Sequence, residues 1–124
     1  MLKTLAKVFG WIFLLIGVLG FIPGVTNDQG LLLNIFHVNA LHNIVHLLSG
    51  AVALYAASVG TKAAKTYFQV FGVVYLLVTV LGFYYGSKDI LGLIANNTAD
   101  NFLHVVIAVI ALYAGFAVKE EAAA

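Results

Sequence analysis

The chain has 124 residues, of which 63% are hydrophobic and 9% charged, and its mean hydropathy is +1.05. A soluble globular domain carries about 45–50% apolar and about 25% charged residues, so the composition calls for a bilayer, where a spanning helix needs roughly 20 mostly apolar residues. A net charge of +1, with only lysine as the basic residue, argues against a nucleic-acid partner; the absence of cysteine excludes disulfides, thiolate nucleophiles, iron–sulfur clusters and cysteine-based zinc sites.

Taken in chain order, the apolar pattern predicts a first helix from about Leu5 to Ile22, stopped by the breaker pair Pro23-Gly24. Lys3 and Lys7 before the apolar run Val8–Ile22 resemble a signal peptide. The run is long, however, and no small-x-small cleavage site follows, so it is read as a retained helix. Asn27, Asp28, Gln29 and Gly30 make a polar turn, and the apolar piece Leu31–Phe36 is expected to lie in the membrane interface. A second helix is predicted from Asn39 to Ser58, a turn at Gly60, Thr61 and Lys62, and a third helix from Lys65 to Tyr85. After Gly86, Ser87, Lys88 and Asp89 comes another apolar piece, Ile90–Ala95. The fourth helix then runs from Thr98 to Val118 and ends in Lys119, Glu120 and Glu121. The fold class expected is an all-α integral membrane protein, a four-helix transmembrane bundle forming one domain over residues 1–124. Lys3, Lys7, Lys62, Lys65 and Lys119 fall on one side and only Lys88 on the other, which predicts both termini in the cytoplasm.

The bundle is a duplication. Lys3-Thr4, Val8-Phe9-Gly10 and Val18-Leu19-Gly20-Phe21 recur as Lys65-Thr66, Val70-Phe71-Gly72 and Val80-Leu81-Gly82-Phe83, all at a spacing of 62. After a loop contraction the spacing becomes 58, matching Asn39, Asn43 and His46 with Asn97, Asn101 and His104. The repeats, about 3–60 and 65–118, are two helical hairpins that enter the membrane from the same side, a parallel arrangement with its pseudo-axis along the membrane normal. Small residues mark close helix approach in lipid. His46, Gly50, Ala53 and Ala57 share one face of helix two, His104, Ala108, Ala111 and Gly115 one face of helix four, and Gly20 and Gly82 belong to rows on helices one and three. The simplest assembly sets helices two and four side by side across the axis.

Four polar positions recur at the start of helices two and four: Asn39, His42, Asn43 and His46, against Asn97, Asp100, Asn101 and His104. Asn39 and Asn97 suit N-caps, and Asp100 stands where a capping box needs its carboxylate. His46 and His104 lie one turn deeper, on the small-residue stripes. Two readings of this cluster are open. In the first it is structural, with His46 and His104 bonded across the axis to Asn101 and Asn43, as polar groups bond between membrane helices. In the second, His42, His46, His104 and Asp100 supply three imidazoles and a carboxylate to a divalent transition metal, or a histidine holds a tetrapyrrole, haem or chlorophyll. No cofactor is the default. Ser49 lacks a base and orienter, so no enzyme is expected. Asn96-Asn97-Thr98 matches a glycosylation sequon. Trp11, Tyr67, Phe68, Tyr84 and Tyr85 are read as interfacial or lipid-facing bulk.

The pattern Asn39-x-x-His42-Asn43-x-x-His46-x-x-x-Gly50, with Asn97-Thr98-Ala99-Asp100-Asn101-x-x-His104 later, resembles a family of small bacterial four-helix membrane proteins, domain of unknown function 4383. The resemblance covers nearly the whole chain. It implies four spans and a bacterial inner, or thylakoid-like, membrane, and it brings no activity with it. The expected role is that of a non-enzymatic module in the lipid bilayer, self-associating or an accessory subunit of a larger membrane complex, with metal or tetrapyrrole binding as the alternative.

Overall fold

The point at which the first helix stops is set by one proline. The structure, a computed structural model, describes residues 1–119, and in it α1 spans Leu2–Leu19. Hydropathy continues to Ile22, but Pro23 has no amide hydrogen to offer the Leu19 carbonyl, and its ring disfavours helix in the residue before it. Thr26 takes over that carbonyl through its hydroxyl, at 3.0 Å. At the equivalent place in the second copy stands Tyr85, and α3 runs from Thr61 through to it. α2 spans Ala40–Val59. It is separated from α3 by Gly60 alone, whose φ of +153° is open to glycine and strained for other residues. The turn expected over Gly60–Lys62 is therefore one residue, and α3 starts four residues before Lys65.

The first loop is not a simple interfacial segment. Leu31–Leu32 (β1) pairs antiparallel with Phe36–His37 (β2), Leu31 opposite His37, with Leu33 and Asn34 left-handed at the tip. The shorter second loop keeps a single bridge, Ile90 to Ile94. α4 spans Thr98–Leu112 and passes into a π-helical turn, Tyr113–Ala117. Carbonyls at that end are taken by side chains of α3: Gln69 Nε2 donates to Gly115 (2.9 Å) and Lys65 Nζ to Val118 (2.6 Å). Glu120 and Glu121 lie outside the described residues.

The closest packing is within hairpins, α1 on α2 and α3 on α4; across the middle, α3 packs on α2 and on α1. α2 and α4 have little backbone contact, contrary to the side-by-side arrangement expected from their small-residue stripes. Those residues serve their own hairpins instead. A methyl group on Gly50 would meet the Gly10 carbonyl and Leu14 of α1, one on Gly20 the Asn43 side chain, and one on Gly82 the Asn101 side chain. Ala53, Ala108 and Ala111 are buried in the core. Tyr67 and Phe68 belong to that core and not to an aromatic belt. The Tyr67 hydroxyl donates to the Ser49 carbonyl at 2.9 Å. The outward face is apolar: Trp11, Leu15, Tyr55, Leu77, Tyr84 and Phe116 are all more than half exposed. With four helices long and apolar enough to cross a membrane, the chain is an integral membrane protein whose outward side chains meet lipid.

The glycine contacts give a direct test. Gly82→Ala and Gly20→Ala each place a methyl group on a buried asparagine, so each should destabilise the protein by about 1–3 kcal/mol. Leu77→Ala, on the lipid-facing side, should change stability by less than about 0.5 kcal/mol. Thermal unfolding of the detergent-solubilised variants measures both.

Candidate metal centre

Two asparagines organise the end of the bundle at which α2 and α4 begin. The Asn39 Oδ1 accepts from the His42 amide (2.9 Å), satisfying one free donor of the first turn of α2. Its Nδ2 donates to the Leu93 carbonyl in the second loop (3.0 Å). The Asn97 Oδ1 accepts from the Asp100 amide (2.9 Å), Asp100 Oδ2 accepts from the Asn97 amide (3.1 Å), and the two form a capping box. The Asn97 Nδ2 donates to the Ile35 carbonyl in the first loop (2.9 Å). Ile35 and Leu93 are equivalent positions of the two copies, so each cap ties its helix to the other hairpin's loop.

The loops in turn orient the histidines. His42 Nδ1 lies 2.8 Å from the Ala95 carbonyl. A carbonyl only accepts, so Nδ1 carries the hydrogen, and in the neutral ring Nε2 presents a lone pair. One ligand nitrogen from each of His42, His46 and His104 lies within 4.8 Å of the other two, and the three residues are buried. His42 Nε2, both nitrogens of His46 and Nδ1 of His104 have no hydrogen-bond partner. The rings are 4.5 Å apart between His42 and His46, 5.6 Å between His42 and His104, and 6.0 Å between His46 and His104.

Of the other residues singled out from the sequence, Asp100 is not in this group of three; it is buried at the start of α4 with Oδ1 unpartnered. Asn43 and Asn101 do not bond His104 and His46 across the axis. They pack on Gly20 and Gly82 of their own hairpins, and the Oδ1 of each has no partner. Ser49 donates to the Val45 carbonyl and therefore accepts from the Tyr75 hydroxyl, both at 2.8 Å, so its oxygen is committed to packing. His37 reaches the Asn96 carbonyl from outside the triad, at 3.4 Å. Asn96 is the residue the sequence reading undervalued. It is fully buried and its Nδ2 donates to the Gly82 (3.1 Å) and Gly86 (2.8 Å) carbonyls, closing the end of α3. A side chain so placed cannot carry a glycan, and the sequon is a coincidence of capping residues. The only signal for its role was a polar residue ending an apolar loop.

Residues 3–117 match the model of a family described as a domain of unknown function, DUF4383, and the chain belongs to that family. No curated protein and no solved structure matches it.

Because each cap holds a helix start and a loop together, Asn39→Ala and Asn97→Ala should each lower stability by about 1–2 kcal/mol. Both act on the same pair of loops, so the double variant should depart from additivity by at least about 0.5 kcal/mol. Chemical or thermal unfolding of the four proteins in one detergent measures the coupling; strict additivity would show that the two loops move independently.

Proposed function

We propose that this chain is a membrane-embedded transition-metal-binding protein with His42, His46 and His104 as its ligands. The observation that carries the reading is a group of three buried imidazoles, each offering one ligand nitrogen within 4.8 Å of the others and each with a nitrogen that has no hydrogen-bond partner. Buried polar groups left without a partner cost about 1–3 kcal/mol each, and a cation is the partner that neutral imidazole lone pairs suit. Three nitrogens on a tetrahedral zinc at about 2.1 Å stand about 3.4 Å apart, which rotation of the imidazole rings about their broad terminal torsions brings within reach. The Ala95 carbonyl fixes the His42 tautomer in the manner of an outer-shell partner of a metal-bound histidine.

Three imidazoles suit zinc, copper, iron or nickel, and they leave a fourth position open. A tetrapyrrole between the histidines is disfavoured, because rings 4.5–6.0 Å apart leave room for an ion and not for a macrocycle. The reading is one of binding, without a catalytic step assigned. If the lysine asymmetry sets the topology, the termini are cytoplasmic and the site lies near the outer leaflet of a bacterial inner membrane. The alternative, a purely structural module or accessory subunit, is the other outcome of the same test.

Protein purified in mild detergent without chelator should contain about one transition-metal ion per chain by elemental analysis, or take one up from Zn²⁺, Co²⁺, Cu⁺ or Fe²⁺. His46→Ala and His104→Ala should abolish that uptake, while His37→Ala should leave it intact. A folded protein that binds none of the four ions would overturn the metal reading in favour of the structural one.

A further inference from the structure

The two loops share a backbone feature that local sequence preference opposes. In the first, the Ile35 amide donates to the Leu32 carbonyl (3.0 Å) across Leu33 and Asn34, whose φ values are +53° and +60°. In the second, the Leu93 amide donates to the Ile90 carbonyl (3.0 Å) across Leu91 and Gly92, at +54° and +69°. Positive φ at both central residues is the pattern of a type I′ turn, whose central places favour Asn, Asp or Gly. Asn34 and Gly92 fit. Leu33 and Leu91 do not, and a leucine in this conformation is a true outlier. The two are 58 residues apart and so hold the same place in the two copies. Packing within the chain does not account for them. The preceding Leu32 and Ile90 are buried, whereas Leu33 is 59% and Leu91 62% exposed. Across each turn, Ile35 and Leu93 are also more than half exposed.

We infer that the two turns are wedges set into the lipid interface, with Leu33 and Ile35 of one copy and Leu91 and Leu93 of the other at the boundary between headgroups and acyl chains. In water such a leucine is unfavourable twice, once in its backbone and once in its hydration. The backbone cost is of the same order as the gain from covering one leucine side chain, so an apolar cover offsets it. Recurrence selects the cover. A protein docked on one flank would meet one turn, whereas lipid surrounds the bundle and meets both. Leu33 also borders a cleft between α1 and α4 whose rim includes Ile12 and Val106, both about half exposed, so its turn lies against a lipid-facing flank. Apolar side chains at that depth hold a segment to the membrane in proportion to the area they bury. The carbonyls of Ile35 and Leu93 are those held by Asn97 Nδ2 and Asn39 Nδ2, so the wedges and the crossed caps are the same two pieces of chain. None of this depends on an ion at the histidines.

The chain has no cysteine, so single cysteines can be spin-labelled in the full protein in phosphatidylcholine discs. Labels at Leu33→Cys and Leu91→Cys should collide more with oxygen, which partitions into lipid, than with a water-soluble nickel chelate. The ratio should reverse at Asp28→Cys, in the exposed polar turn. A label at either leucine that meets the chelate more than oxygen would place that turn in water and overturn the inference. Labels shielded from both reagents would overturn it in favour of a protein cover. A second measurement uses no label. Asparagine suits the left-handed conformation but not lipid, so Leu33→Asn and Leu91→Asn should each lower the unfolding temperature in discs. A rise in either variant would show that relief of the turn outweighs any contact with lipid, and would equally overturn the inference.

Discussion

In each half of the molecule one asparagine side chain commits its two ends to different hairpins. The oxygen caps the helix that follows it, and the amide nitrogen holds a loop carbonyl of the other copy. Much else depends on this crossed pair. The caps fix where α2 and α4 begin, and so which faces carry His42, His46 and His104. The loops they hold place the Ala95 carbonyl against His42, which puts the hydrogen on Nδ1 and leaves the lone pair on Nε2. The caps also satisfy amides that every helix start leaves without an intrahelical partner.

The two copies are alike in sequence, but their packing is not. A strict two-fold would repeat the contact of α2 with α3 as a contact of α4 with α1. The first pair is packed, and the second has no comparable contact and borders the cleft. Connectivity accounts for the difference: α2 and α3 are joined through Gly60 alone, which draws them together, while α4 and α1 are held near each other only through the loops. The substitution pattern follows the same division. Positions equal in both copies, Asn39/Asn97 and Asn43/Asn101, cap helices or fill space against glycine. The unequal pair, His42 and Asp100, puts a third imidazole into the histidine group and a capping-box carboxylate at the start of α4. Duplication supplies the frame and two of the three imidazoles, His46 and His104, and divergence at one pair of positions adds the third.

Hydropathy and the repeat were enough to read four spans and the paired hairpins, and the spacing Asn-x-x-Asp carries its cap with it. The helix partners were not legible in the same way. In a bilayer both the lipid face and the core face of a helix are apolar, so periodicity no longer tells inside from outside. Tyr67 and Phe68 look like belt residues for that reason, although they fill the centre of the bundle. A stripe of small residues shows that something comes close without saying what. Gly50 lies against Gly10 of its own hairpin, and α4 is not its neighbour. The nearness of three histidines depends on side chains bridging two helices whose backbones stand apart, which no spacing along a single helix reveals. Asn96 was hidden by its sequon and by its place in a loop.

The distribution of unpartnered groups bears on what the polar end is for. Through the middle and far end of the bundle, polar side chains that only pack are matched: Ser49 with Val45 and Tyr75, Tyr67 with Ser49, Thr79 with Tyr75, Gln69 with Gly115. The same chain that satisfies those groups leaves side-chain atoms of His42, Asn43, His46, Asn96, Asp100, Asn101 and His104 without partners, all of them at one end. A hydrogen bond between membrane helices contributes about 0.6 kcal/mol on average, whereas an unmatched buried polar group costs about 1–3 kcal/mol. Glue therefore accounts for a cluster only when its members are paired, as they are around Ser49. At the histidines the balance runs the other way, and that contrast is the physical ground for proposing an ion on the imidazole nitrogens.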